Sequence, residues 1–193
     1  MSSNVGKILI IGLGMIGSSI ALASKSKGIT VYGLDTNNST INDALKKNII
    51  DKDAGEIEKI NSKEFAQDID LIILAVPPKQ TFDVLKKLDQ LWNSSTTITD
   101  TASVKNHIKL DNVSNIILSH PIAGSDRSGL EAADENLFIN KKNILCNPFN
   151  ADKEHLEKVE SFWEDALQMR TAFMSVSEYD LVFAMTSHLP HLI

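Results

Sequence analysis

Lys7 to Gly17 reads KILIIGLGMIG, and this stretch constrains the chain more than any other. Ile8 to Ile11 is an unbroken apolar run, as expected of a strand covered on both faces in a parallel sheet. Gly12, Gly14 and Gly17 follow as G-x-G-x-x-G, and Ile16 to Ala23 continues in small and apolar residues suited to a helix. In such a turn the first glycine permits the tight bend and the second lets backbone approach a pyrophosphate. The third lets the helix pack closely on the strand. Phosphates would then sit on free N–H groups at the positive end of that helix. A second strand, Thr30 to Leu34, leads into Asp35, 18 residues past Gly17 and close to the roughly 20 typical of a ribose-binding carboxylate.

Asp35 also bears on the choice of dinucleotide. A carboxylate there accepts hydrogen bonds from the ribose hydroxyls of NAD and repels the 2′-phosphate of NADP. Thr36, Asn37 and Asn38 supply no Arg that could reverse the preference. A plain turn at Asp35 is the other reading, and the distance from the glycines favours the ribose role.

At 193 residues the chain fits one ordinary domain with the beginning of a second. A net charge of −6 argues against general affinity for nucleic acid or an anionic membrane surface. Cys146 is the single cysteine and cannot make an internal disulfide, which suits a reducing cytoplasm. It stands in an apolar stretch and reads as a small buried hydrophobe rather than a nucleophile. Lys7, the apolar run and Ala21-Leu22-Ala23 imitate a secretory signal, but nucleotide-spaced glycines and the strand that follows oppose that reading. No apolar run approaches the roughly 18 to 20 residues needed to span a bilayer.

Farther along, Ser39 to Lys47 reads as a short helix, with Asn48 as a left-handed stop. Ile49 to Phe65 is weakly patterned. Leu71 to Val76 is a buried strand that Pro77-Pro78 ends, and Phe82, Leu85, Leu88 and Trp92 then recur as the core stripe of a helix. Thr97 to Thr99 reads as a strand, Val104 to Ile108 as the start of a short helix, and Asn115 to Leu118 as another strand. Asn143 to Cys146 is a further strand, Asp152 to Leu167 a charged surface helix, and Arg170 to Met174 an edge strand. Ser175 with Glu178 makes a capping box that opens a last helix. This alternation predicts an α/β fold, a Rossmann-like doubly wound and mostly parallel sheet, followed by the start of a helical domain. Ligands of such sheets sit beyond the carboxyl ends of the strands, where Gly12, Asp35, Pro77, Ser103 and His120 all fall.

The stretch Ser119 to Phe138, SHPIAGSDRSGLEAADENLF, carries the chemistry. His120 ends a strand beside a rigid proline and precedes a loop dense in donors and acceptors. A histidine can take the proton that an alcohol loses as its hydride leaves. A loop-capping histidine is the plainer alternative, and the nucleotide fold weighs against it.

Together, GLGMIGSSIA, AVPP, DTASVK at 100–105, SHPIAGSDRSGLEAA and SHLPH at 187–191 make the chain resemble the TyrA family of prephenate and arogenate dehydrogenases. The first two segments are common to many NAD enzymes, whereas HPIAGS followed by SHLPH is specific. The resemblance covers essentially the whole chain. It implies NAD-dependent oxidative decarboxylation of prephenate to 4-hydroxyphenylpyruvate, or of arogenate to tyrosine, in tyrosine biosynthesis. It also implies that His120 takes the hydroxyl proton and that Ser103 hydrogen-bonds the same hydroxyl. Ser125, Asp126 and His188 match substrate-site positions, although Asp126 and Arg127 depart from the more usual glutamate and lysine. The expected cofactor contacts are Gly12, Gly14, Met15, Ile16 and Gly17, then Asp35, and Val76 with Pro77.

Other readings remain beside these. Ser103 also reads as a helix N-cap, and Lys105 as a surface residue or as a cation for a dianionic substrate. His188 and His191 share a helical face, yet no third ligand accompanies them, so no metal is expected. A non-catalytic NAD-sensing module would explain the glycines and Asp35 but not Ser103, His120 and Asp126 together. A dehydrogenase of the 3-hydroxyacid or imine type would place a catalytic lysine on a later helix, and 175–193 has none.

The last helix carries Leu181, Val182, Met185, Leu189 and Leu192 as an apolar stripe. Taken with this stripe, the resemblance implies an NAD-binding domain over 1–174 and, over 175–193, the start of a helix linking to a C-terminal helical domain. Through that further domain the resemblance implies a cytoplasmic homodimer.

Overall fold

The computed structural model describes residues 5–105, 108–124 and 127–183. The glycine turn sets its geometry. Strand β1 (Lys7–Ile11) leads through that turn into helix α1 (Met15–Ser26), and β2 (Thr30–Leu34) returns beside β1 in parallel. Helix α2 (Asn38–Lys46) ends at Asn48, whose φ of 55° is the left-handed stop. The weakly patterned segment resolves into a two-residue strand β3 (Lys52–Asp53) and the single turns α3 (Ile57–Ile60) and α4 (Lys63–Ala66). Then come β4 (Leu71–Leu74), α5 (Pro78–Lys87) with a proline in its first turn, and β5 (Thr97–Asp100). The chain continues through β6 (Ile116–Pro121), β7 (Lys142–Cys146), α6 (Lys153–Ser161), β8 (Arg170–Phe173) and α7 (Val176–Phe183).

One sheet holds the strands in the order β3-β2-β1-β4-β5-β6-β7-β8. The first six are parallel in the doubly wound order 3-2-1-4-5-6. Strand β7 reverses direction against β6, and β8 runs parallel to β7, so the last two strands both oppose the first six. Among the described residues between β6 and β7 there is no crossover helix, just a 3-10 turn at Leu130–Ala132. That connection therefore stays at the carboxyl end of the sheet, where it borders the site.

Side-chain alternation along the strands feeds two apolar layers. Ile8, Ile10, Val31, Ile73 and Ile117 pack with Ile20 of α1 and with Val159, Phe162 and Trp163. Leu9, Ile11, Ile72, Leu74, Ile98 and Leu118 pack on the other face with Leu85 of α5 and Tyr179 of α7.

Three sequence expectations change. The helix expected to carry Phe82, Leu85, Leu88 and Trp92 ends at Lys87, and a 3-10 turn, Asp89–Leu91, follows it. The charged segment from Asp152 to Leu167 is not a solvated surface helix. It becomes α6 and a π turn, Phe162–Ala166, that bury His155, Val159, Phe162, Trp163, Ala166 and Leu167. Its charges occupy the outer face only, and the inner face covers the sheet. The helix expected to start at Val104 is also absent among the described residues, 104–105 and 108–110 being irregular. There Lys105 is drawn inward to a buried carboxylate instead of outward to solvent. Farther along the chain the capping box forms as expected. Ser175 N–H donates to Glu178 Oε2 at 2.9 Å, and Glu178 N–H donates to Ser175 Oγ at 3.2 Å.

Candidate active site

The carboxyl ends of β1, β2, β4, β5 and β6 open into one cleft of about 910 Å³. That lies at the upper end of the range for ligand sites and suits a dinucleotide with a small substrate. Gly12, Gly14, Met15, Ile16, Asp35, Val76, Pro77, Ser103 and His120 all line it.

The glycine turn shows why these positions exclude side chains. Gly12 has φ +98°, and a Cβ there would stand 2.6 Å from the Ala75 carbonyl oxygen. A Cβ on Gly17 would lie 1.9 Å from the Gly12 oxygen, so Gly17 serves helix-on-strand contact and not the cleft wall. At Gly14, in contrast, a Cβ would meet no protein atom within 4 Å, and no side chain caps α1. The amides of the first turn of α1 thus offer an anion site of the type a pyrophosphate uses.

Asp35 closes the same turn. Its Oδ2 accepts from Leu13 N–H at 2.8 Å and its Oδ1 from Asn37 N–H at 2.9 Å. Each oxygen keeps a lone pair for a ribose hydroxyl. Open backbone, an uncapped helix and an oriented carboxylate together fit a dinucleotide.

At the other end of the cleft, β6 delivers His120. Burial, and then the Lys105 ammonium, pull the His120 pKa down to about 4, so the imidazole is neutral at neutral pH. Its Nδ1 lies 2.7 Å from Tyr179 Oη, and that phenol donates to the Ser103 carbonyl oxygen at 2.9 Å. Ser103 is exposed at the cleft.

Beneath His120 and Ser103 lies a buried ion pair. Lys105 Nζ donates to Asp100 Oδ1 at 2.7 Å, to Asp100 Oδ2 at 2.6 Å and to the Ser119 carbonyl at 2.5 Å. Asp100 also accepts from Ala102 N–H and Ser119 N–H. Three ammonium donors meet three acceptors, an arrangement only the charged lysine makes, although burial pulls its pKa down. Lys105 is therefore neither a surface residue nor a cation presented to substrate. It ties the end of β5 to β6 one residue before His120. On the opposite face of β6, Ser119 Oγ meets Thr99 Oγ1 at 2.6 Å and accepts from Trp163 Nε1 at 3.1 Å.

Cys146 is buried and its thiol is pushed up to about 11, chiefly by burial, so it is no nucleophile. Ser125, Asp126 and His188 lie outside the described residues, as does His191. Ala123, Arg127 and Ser128, which flank the first two, line the cleft. Sequence reasoning missed Tyr179 and the Asp100–Lys105 pair. The capping box located the helix but carried no signal for which of its residues meets β6.

A family model for the nucleotide-binding domain of prephenate dehydrogenase matches residues 20–169. The chain belongs to the prephenate dehydrogenase family. It is 35% identical over 198 residues to the prephenate dehydrogenase of Lactococcus lactis subsp. cremoris, an alignment covering 97% of this chain and 51% of that protein. Among solved structures it resembles the Aquifex aeolicus prephenate dehydrogenase in complex with hydroxyphenyl propionate and NAD+. The TM-score is 0.85 and the identity 32%, covering all of this chain and 68% of that one. The arogenate dehydrogenase of Synechocystis is 28% identical with a TM-score of 0.84, covering 97% of this chain and 66% of that one. Across this prephenate dehydrogenase family, the chain spans about half to two thirds of the length of the curated relatives it matches.

Proposed function

We propose that the chain binds NAD and carries out the NAD-dependent oxidative decarboxylation of prephenate to 4-hydroxyphenylpyruvate, or of arogenate to tyrosine, in tyrosine biosynthesis. The observation that carries this reading is that His120 and Ser103 line the same cleft as the glycine turn and Asp35. Similarity to a relative solved with NAD+ and hydroxyphenyl propionate supports it.

In this reading the first-turn amides of α1 hold the pyrophosphate, Asp35 the adenosine ribose, and Val76 with Pro77 the dinucleotide beyond it. When bound, NAD supplies the hydride acceptor. Ser103 orients the ring hydroxyl. His120 takes the hydroxyl proton as the hydride departs and returns it to the ring oxygen once carbon dioxide has left and the ring is aromatic. Ser125, Asp126 and His188 contact the substrate. Residues 1–174 act as the NAD-binding domain and 175–193 begin a helix toward a helical dimerisation domain. Leu181 is 64% exposed on α7, which suits a face that such a domain would cover. The active form is then a cytoplasmic homodimer. Among the described residues no helix is long and apolar enough to cross a membrane.

Formation of NADH on adding prephenate or arogenate tests the activity, and absence of turnover with both overturns it. Cofactor choice tests Asp35. Asp35→Ser with Thr36→Arg is expected to weaken NAD binding and strengthen NADP binding, read by calorimetric titration. A parent chain that already prefers NADP would refute the ribose role.

A pH profile tests His120. Because the neutral imidazole is the active form and its pKa is about 4 in the free protein, kcat/KM is expected to rise with pH to a plateau from a midpoint near 4. The kcat limb should sit higher, since bound carboxylates favour the imidazolium. A kcat/KM midpoint at the ordinary histidine value would show that the ring is not buried as described.

A further inference from the structure

Tyr179 Oη touches two groups, His120 Nδ1 at 2.7 Å and the Ser103 carbonyl oxygen at 2.9 Å. A phenol has one proton. The carbonyl can only accept, so the 2.9 Å contact takes that proton. Burial, with Asp100 and Cys146 behind it, raises the Tyr179 pKa, so the phenol keeps its proton. Oη therefore presents a lone pair to Nδ1. Two lone pairs 2.7 Å apart would repel, so Nδ1 must carry the imidazole's proton. The ring is neutral and has only one, which leaves Nε2 bare.

We propose that Tyr179 is a positioning residue that holds His120 in the tautomer protonated on Nδ1, so that Nε2 is the atom that receives the substrate's proton. The inference rests on the reading of His120 as the base.

The surroundings hold this arrangement. Tyr179 is fully buried, and its backbone N–H donates to the Ser175 carbonyl at 2.9 Å within the capping box. One turn later Phe183 stacks on it, with ring centroids 4.4 Å apart and planes 26° apart. Phe183 also meets the His120 ring edge-on at 5.1 Å. The imidazole is thus fixed by a hydrogen bond on Nδ1 and by an aromatic face beside it.

The same contact acts selectively on turnover. When Nε2 takes a proton the ring becomes cationic, and its Nδ1–H bond to Oη becomes charge-assisted and stronger. An interaction that strengthens toward the transition state appears in kcat more than in KM. Because Tyr179 stands on α7, the helix beyond the last strand, His120 is poised by an element outside the six-stranded parallel core.

Histidine ring 15N shifts of the whole chain at neutral pH test this without any turnover, with the His120 signals assigned by their loss in His120→Asn. Nδ1 is expected in the protonated range and Nε2 in the unprotonated range. In Tyr179→Phe the two should converge or exchange. Phe183→Leu, which keeps the hydroxyl, should retain the parent pattern and controls for lost packing. An Nε2-protonated ring in the parent chain overturns the proposal, as does an unchanged tautomer in a folded Tyr179→Phe. Should that variant fail to fold, the parent spectrum alone decides. In kinetics, Tyr179→Phe should lower kcat about ten- to a hundredfold, short of complete base loss, with KM and NAD affinity unchanged. An unchanged kcat overturns the positioning role. The expected spectrum in a parent chain that cannot oxidise prephenate or arogenate would count against the proposed reaction and not against the tautomer.

Discussion

His120→Asn is expected to lower turnover by roughly 10²-fold or more while leaving NAD affinity nearly unchanged. The imidazole is the one titratable side chain that β6 delivers to the cleft, and it stands apart from the glycine turn that would hold the pyrophosphate. Asparagine keeps a polar group next to Tyr179 but cannot take up a proton. A 10²-fold loss corresponds to about 2.7 kcal/mol of transition-state stabilisation. Steady-state kinetics with prephenate and arogenate, beside calorimetric titration with NAD, separate the two effects. Parent-like turnover would remove His120 from the mechanism. A parallel loss of NAD affinity would mean that the residue supports the cleft instead of the reaction.

The largest stability effect is expected from Lys105→Met. The side chains of Lys105 and Asp100 are buried, and every donor of the one meets an acceptor. Among the described residues, removing the lysine leaves a buried carboxylate with the Ala102 and Ser119 amides, and breaking such a pair costs about 3–5 kcal/mol. Asp100→Asn should be costly for the same reason, with the cation stranded instead. The double variant should lose less than the sum of the two, because neither charge is then left alone. Urea denaturation of the three variants measures this. A loss for Lys105→Met of under about 1 kcal/mol, the usual level of an unremarkable substitution, would show that the pair is not desolvated as described. Turnover should fall as well, since Asp100 Oδ1 accepts from the amide one residue before His120.

The two predictions address different layers of one construction. His120 faces the cleft, Tyr179 orients it from α7, and the Asp100–Lys105 pair fixes the backbone that carries it. An exposed loop could not hold an imidazole this way, because each of these contacts depends on water being excluded.

What the sequence determined by itself is local. The turn at Gly12 to Gly17 follows from residues whose missing Cβ atoms are required within a few positions of one another. Asn48 ends α2, and Ser175 with Glu178 opens α7, because their backbone groups are satisfied within one helical turn. Apolar runs at β1 and β4 announce buried parallel strands, and the strand-end rule for such sheets gathers Gly12, Asp35, Pro77, Ser103 and His120 at one cleft. The tertiary structure alone decided the rest. Lys105 is buried because Asp100 and the Ser119 carbonyl are both in reach. The segment from Asp152 covers the sheet because burying its apolar face outweighs the pattern of its charges. Strand β7 reverses against β6, and among the described residues of their connection there is a 3-10 turn in place of a crossover helix. Tyr179 meets His120 across 59 residues of sequence. Such pairings depend on which surfaces exclude water together, a property of the assembled layers that no period or spacing along the chain records.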